Sequence, residues 1–134
     1  KIKKELYWLL SNIAAGSRQQ MLTLFSLNLF SQIIRDLELG EFQVKREACW
    51  VISNIMHVCT IEEVQPFIDS KILFFMKKFL ESGDDTQMIS VVLEVFVILF
   101  RMYTSNNKKY YFCEKIEESG CNSFITTHFR SRCD

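Results

Sequence analysis

The sequence predicts an all-α protein made of stacked helical repeats, and three observations carry this prediction. Apolar residues recur every three or four positions, and no stretch of five or more residues alternates cleanly between apolar and polar. The four glycines each fall between two periodic segments, where a helix has to end and the chain has to turn. Finally, two segments of the chain resemble each other at a spacing of about 40 residues.

The periodic segments predict nine helices in order along the chain. The first ends before Gly16, the third before Gly40, the sixth before Gly83 and the eighth before Gly120. The polar stretch 105–109 is expected to form a surface loop or a helix cap. The predicted helices cover residues 2–14, 18–27, 29–39, 43–57, 61–69, 71–81, 85–104, 108–118 and 121–129.

An internal repeat defines the organisation of the chain. KKELYWLLSNI (residues 3–13) and KREACWVISNI (45–55) agree at six of eleven positions, 42 residues apart. A weaker echo places Glu-Ser-Gly-Asp (81–84) 43 residues after Glu-Leu-Gly-Glu (38–41). Each unit has room for two short helices and one long helix, the armadillo pattern, whereas HEAT units have two helices. The sequence therefore predicts a right-handed armadillo-repeat superhelical solenoid of stacked three-helix units, whose neighbours share a continuous core.

Two matching apolar sets are assigned to that core. Their members occupy equivalent places in the two similar segments, and they are Leu6, Leu10 and Ile13 in the first and Ala48, Ile52 and Ile55 in the second.

A second set of matching residues lies on a different stripe of the same helices. Glu47, Trp50 and Asn54 are spaced i, i+3 and i+7, so they share one face of a helix. The earlier segment repeats this stripe with Glu5, Trp8 and Asn12. The alternative is that both tryptophans simply pack in the core, but core packing does not require a repeated asparagine.

This combination of side chains suits an extended basic peptide. Two neighbouring indoles form walls for the methylene stem of a Lys or Arg, and their faces attract its cation. Asn amides donate and accept hydrogen bonds, so they hold a peptide backbone without reading its sequence. Glu carboxylates add attraction for the cationic groups.

At these residues the chain resembles the C-terminal part of importin-α, in which the third helix of each repeat carries a Trp-x-x-x-Asn pair on the concave face. Residues 5–21 and 40–54 carry the resemblance, with the run 15–20 typical of the seventh repeat and 40–42 similar to the entry to the eighth. Residues 116–120 resemble the start of the last repeat. The resemblance implies a C-terminal armadillo-repeat fragment over 1–134: the third helix of one repeat, two full repeats and the start of a last one.

The resemblance also implies a function and partners. The chain is expected to be part of a nuclear import adaptor that shuttles between cytoplasm and nucleus and binds the basic localisation signals of cargo proteins. The implied minor signal-binding site consists of Trp8, Asn12, Trp50 and Asn54, with Glu5, Ser11 and Glu47 beside them. The family's export receptor is a further implied partner through the C-terminal repeats. Importin-β would bind only through an N-terminal segment that this sequence does not contain.

The third copy of the repeat departs from this pattern. Glu94 stands in the place of the Trp and Ile98 in the place of the Asn, so the repeated Trp and Asn pair does not continue into this copy.

Composition and motifs argue against other classes of protein. A net charge of zero disfavours nucleic-acid binding, and Glu94 interrupts the most apolar run, 91–100, which disfavours a membrane span. No signal peptide is visible, and the opening Lys-Ile-Lys-Lys-Glu already lies in a helical pattern, so we expect a fragment or a truncated gene product. No catalytic pair, phosphate loop or cofactor motif is present, so we expect a binding protein and no enzyme. The rival function is that of another armadillo scaffold without a signal-receptor role.

The five cysteines have no metal-type spacing, and we expect no metal. Cys49 and Cys59 lie in apolar surroundings and are expected to be reduced, buried thiols. A zinc site made of Cys113, Cys121, His128 and Cys133 is the alternative, but its spacings are loose. His57 follows the helix of Asn54 and is expected to be a helix-end residue rather than a catalytic base.

Overall fold

The computed structural model describes residues 1–82 and 85–120, and within these ranges the protein is all-α. No strand occurs in this part of the chain. The helices are α1 (Ile2–Ala14), α2 (Arg18–Ser26), α3 (Phe30–Leu39), α4 (Phe42–Met56), α5 (Ile61–Asp69), α6 (Ile72–Ser82), α7 (Thr86–Ser105) and α8 (Lys109–Glu118).

These bounds agree with the first eight predicted helices to within one residue, so local apolar periodicity located each of them. Of the polar stretch 105–109, residues 106–108 connect α7 to α8, whereas Ser105 ends α7 and Lys109 begins α8. The predicted turn at Gly83 and the predicted helix 121–129 lie outside the described residues.

Local chemistry explains where several helices begin and end. Ser17 and Thr60 form capping boxes at the starts of α2 and α5, and the Asp85 side chain accepts from the Met88 N–H at the start of α7. Gly40 ends α3 where a Cβ atom would lie 2.4 Å from the carbonyl oxygen of Asp36, so no larger residue fits without a shift.

The order short, short, long occurs twice, as α2–α3–α4 and as α5–α6–α7. The long helix α4 packs against α1 on one side and against α7 on the other, while α3 packs against both α4 and α6. The succession of two short helices and a long one matches the predicted repeat unit. The superhelical path and its handedness stay predictions.

The helix α4 is buried on two sides because it has long helices on both. Ala48, Ile52 and Ile55 are fully or almost fully buried, as predicted. Leu10 and Ile13 of α1 are partly buried against the same core.

The prediction for Leu6 is wrong. Its side chain is 54% exposed, whereas its counterpart Ala48 is completely buried. The reason is positional: the side of α1 that carries Tyr7, Ser11 and Ala14 faces the core, and no described helix covers the side that carries Leu6.

The helix α7 is more apolar than the sequence argument allowed. It is 20 residues long with a mean hydropathy of 1.7, which suffices in length and composition for a membrane span despite Glu94. In this fold α7 packs against α4, α6 and α8, and one side of it lies in the core. Helices packed in a protein core and helices that cross a membrane share such a length and composition.

Candidate functional site

The two predicted stripes lie on neighbouring helices. Glu5, Trp8 and Asn12 all belong to α1 and are all exposed. Their counterparts on α4, namely Glu47, Trp50 and Asn54, are all half-buried. None of the six side chains lies in the fully buried core, so each stripe keeps some contact with solvent.

Contacts at both ends show that α1 and α4 run in the same direction. Near the end of α1, the Asn54 amide Nδ2 donates to the carbonyl oxygen of Ser11 at 2.8 Å. Near its start, Lys3 and Tyr7 bind Asp36, which lies six residues before α4 begins. The two stripes are therefore in register, with Asn54 next to the turn of α1 that holds Asn12.

The asparagine amides keep hydrogen-bonding capacity. Asn12 donates through Nδ2 to the carbonyl oxygen of Trp8 at 3.1 Å, and Asn54 donates to Ser11 as described. An amide nitrogen carries two hydrogens, so each side chain retains one N–H and the Oδ1 acceptor. That pair of groups matches the carbonyl and the N–H of a peptide backbone.

The two tryptophans differ in exposure. Trp8 is 60% exposed, whereas Trp50 is half-buried and packs against the core. The difference follows from their helices, because among the described helices α4 packs against a long helix on each side, whereas α1 packs against α4 alone of the long helices. Trp8 thus offers a freer aromatic face than Trp50.

Ser11 occupies a different position from the other six predicted site residues. It is buried at 8% exposure, and its hydroxyl donates to the carbonyl oxygen of Trp8 at 2.7 Å. Its backbone carbonyl oxygen accepts the hydrogen bond from Nδ2 of Asn54. Ser11 therefore positions the amide of Asn54 and does not itself face solvent.

The carboxylates along the stripes differ in their partners. Within the described ranges neither Glu5 nor Glu47 takes part in an ion pair or side-chain hydrogen bond. Glu94, which replaces the Trp in the third copy, lies on α7, and its Oε1 is 3.1 Å from Nε2 of His57. His57 ends α4 as predicted, and its Nδ1 contacts the carbonyl oxygen of Ser53 at 2.7 Å. Sequence reasoning missed this pair because 37 residues separate its members and no local pattern links them.

A buried carboxylate behind the first stripe was also missed. Asp36 is 4% exposed and accepts hydrogen bonds from Tyr7 at 2.6 Å, Lys3 at 2.9 Å and Gln32 at 3.1 Å. Burial alone would raise the pKa of Asp36, but the three donors outweigh it and hold that pKa below its usual value. The signal in the sequence was an aspartate between the apolar residues Ile33 and Leu37 on one face of α3.

The thiols fit a structural role. Cys49 is completely buried on α4, and burial raises the pKa of its thiol far above the usual value. Cys59 is half-buried, and its pKa is raised to about 12, chiefly by burial and further by Glu63. No group of three or more His, Cys, Asp or Glu side chains suitable for a metal occurs in the described part of the chain. Three members of the alternative zinc site, Cys121, His128 and Cys133, lie outside it.

Compared with models of known protein families and with curated proteins, the chain shows no match.

Proposed function

We propose that this chain is an armadillo-type scaffold that binds extended basic peptides of the nuclear-localisation-signal kind along α1 and α4. The observation that carries the proposal is the repetition of Glu, Trp and Asn on two adjacent parallel helices in register. On this proposal Trp8, Asn12, Trp50 and Asn54 contact the peptide, Glu5 and Glu47 attract its cations, and Ser11 orients Asn54. We further propose that these helices are repeats of the importin-α type.

The spacing of the helices suits a short extended segment. Packed helices lie about 8–10 Å apart, and an extended chain rises about 3.3 Å per residue. About three peptide residues therefore separate one stripe from the next, and a peptide of about six residues reaches both. Lysine stems along the indoles would place their ammonium groups near Glu5 and Glu47, which have no cationic partner among the described residues.

A fluorescence titration tests the proposal, because both tryptophans of the chain belong to the stripes. The probe is a synthetic lysine- and arginine-rich localisation signal, and the matched control is the same peptide with its basic residues replaced by glutamine. We expect the basic peptide to change the indole emission saturably and the control peptide to leave it unchanged. Replacing Asn54 by Ala should weaken binding of the basic peptide, because the hydrogen bonds from Asn54 to the peptide backbone are lost.

The opposite outcome would favour the rival scaffold function. If the basic and the neutral peptide bind equally, or if neither changes the emission at millimolar concentration, the stripes do not form a receptor for basic signals. The helical repeat would then serve another kind of partner on another face.

A further inference from the structure

The exposed stripe on α4 continues past Asn54 to His57. His57 lies three residues after Asn54 and seven after Trp50, and its backbone keeps helical angles, so the three side chains share one face. Its Nε2 is 3.1 Å from Oε1 of Glu94 on α7, and the two side chains of this pair are 44% and 56% exposed. The stripe that carries the proposed peptide contacts therefore leads to a carboxylate on the next long helix.

The helix α7 runs in the same direction as α4. Near the start of α4, Nε of Arg46 is 3.0 Å from Oδ2 of Asp85, the residue that precedes α7. At the end of α4, His57 contacts Glu94, which lies nine residues after Asp85. The order of these contacts is the same along both helices, and α4 has α1 on its other side. A peptide that crosses α1 and then α4 therefore reaches α7 next.

His57 and Glu94 place two acceptor atoms side by side. Nδ1 of His57 is 2.7 Å from the carbonyl oxygen of Ser53, and because a carbonyl oxygen only accepts, Nδ1 carries a hydrogen. In a neutral imidazole the other nitrogen, Nε2, is then an acceptor, like the carboxylate oxygen beside it. Two acceptors this close need a donor between them, which is either a second proton on the ring or a cation from outside. Ammonium and guanidinium groups carry several N–H donors and no acceptor, so they suit both atoms.

Glu94 has capacity for such a cation. Within the described ranges the contact with His57 is its only ion pair or side-chain hydrogen bond, and that contact uses one of its two carboxylate oxygens. Glu94 is also the only acidic residue of α7. Arg101 follows it by seven residues on the same exposed side, which disfavours a cation near the far end of the helix. Positive charge on a peptide is therefore attracted to one place on α7.

We propose that Glu94, with Nε2 of His57 beside it, forms a third subsite that binds one further lysine or arginine side chain of the same basic peptide. This inference rests on the proposed function, in which the stripes on α1 and α4 are the first two subsites. With helices about 8–10 Å apart and about 3.3 Å of extended chain per residue, the third basic residue lies about three positions beyond the one held at Trp50. Because this subsite offers charge and no indole, it selects the cationic group rather than the apolar stem of the side chain.

Matched peptides test the third subsite by tryptophan fluorescence. The reference is a basic peptide of about six residues, and two longer peptides add three residues at one end or the other, with lysine outermost. Each longer peptide has a control in which glutamine replaces the added lysine. One of the two lysine peptides should bind about two- to fivefold more tightly than its control at low salt. Glu94→Gln should remove this gain and leave binding of the six-residue peptide unchanged, whereas Glu38→Gln, at an exposed carboxylate of α3, should leave the gain intact.

A charge exchange separates recognition from loss of structure. The Glu94→Lys variant should bind the extended peptide with glutamate in place of the added lysine more tightly than the lysine peptide, a preference that misfolding cannot produce. If the six-residue peptide binds but neither extension strengthens binding, or if the gain persists in Glu94→Gln, the third subsite is wrong and the proposed function stands. If no basic peptide binds, both proposals are wrong.

Discussion

At the scale of the residue, α4 separates two roles within two positions. Trp50 is half-buried and belongs to the stripe that faces solvent, whereas Ile52 is completely buried. Residues two apart in sequence are related by a rotation of about 200° around the helix axis, so they lie on nearly opposite faces. Substitutions at the two positions should therefore affect different properties of the protein.

Trp8 gives the cleanest test of the peptide-binding stripe, because it is the more exposed indole. Trp8→Ala should change the free energy of unfolding by no more than about 0.5 kcal/mol and weaken binding of the basic peptide by roughly tenfold or more. Trp50→Ala should weaken binding as well, but at a cost of about 1–2 kcal/mol in stability, since that indole also packs on the core. Urea denaturation and peptide titration of each variant measure the two effects.

Ile52→Ala is the matched core substitution. We expect it to cost about 2–5 kcal/mol of stability through lost burial and the cavity left behind. Protein that remains folded should bind the peptide almost as well as the original chain. Should Ile52→Ala be silent while Trp8→Ala unfolds the protein, the two faces are assigned the wrong way round.

Individual residues also show what the sequence could reveal. The spacing within each helix correctly placed Ile52 in the core and Trp8 outside it, because that property depends on local geometry. The exposure of Leu6 and the partial burial of Trp50 depend on how many helices flank α1 and α4. That number is a property of the assembled fold, so the repeat alone could not provide it.

At the scale of the element, the Asp36 carboxylate ties α3 to α1. This buried carboxylate accepts hydrogen bonds from Tyr7 and Lys3 of α1 and from Gln32 of its own helix. The contact fixes the start of α1 against the end of α3, while Asn54 fixes the end of α1 against α4. These two polar contacts add to the apolar packing of α1 against α4, which places the first stripe beside the second.

Acidification should weaken this connection in a defined direction. The pKa of Asp36 is lower in the folded protein than its ordinary value, so its contribution to stability is complete at neutral pH. That contribution is lost as the pH falls below about 4 and through the lowered pKa of the folded state. Asp36→Asn should cost about 1–3 kcal/mol at pH 7, because Tyr7 and Lys3 lose a charged acceptor.

The test compares urea denaturation at pH 7 and near pH 3. The difference in stability between the original protein and Asp36→Asn should shrink at the lower pH. Glu38→Gln on the same helix serves as a control, since Glu38 is exposed. A difference that stays constant between the two pH values would contradict a charged Asp36 in this network.

Elements were easier to predict than the contacts between them. Apolar periodicity and glycine positions located the eight described helices, because both act over a few residues. The Asp36 network and the contact of His57 with Glu94 join residues 33 and 37 positions apart, respectively. Such pairs form only when the helices have packed, and a single sequence carries no trace of that pairing.

At the scale of the whole molecule, the proposed receptor is small. Two stripes provide two indoles and two unpaired carboxylates within the described ranges, so few contacts hold the peptide. We expect a dissociation constant weaker than about 1 µM for a single basic signal. Raising the salt concentration from about 50 to 500 mM should weaken binding further, since the exposed charges are screened.

Calorimetry or fluorescence at several salt concentrations measures this dependence. Replacing both Glu5 and Glu47 by Gln should reduce affinity at low salt and flatten the salt dependence, because the attraction for the cationic groups is gone. Tight binding that does not respond to salt would point to a different mode of recognition.

The burial of Cys49 gives the molecule a built-in reporter of its own opening motions. Only a thiolate reacts readily with an alkylating reagent, and a completely buried thiol with a raised pKa supplies almost none. Cys49 therefore becomes reactive only when α4 separates from its neighbours, whereas the half-buried Cys59 and Cys113 need much smaller fluctuations. The rate at which Cys49 is labelled therefore follows the fraction of molecules in which α4 has separated from its neighbouring helices.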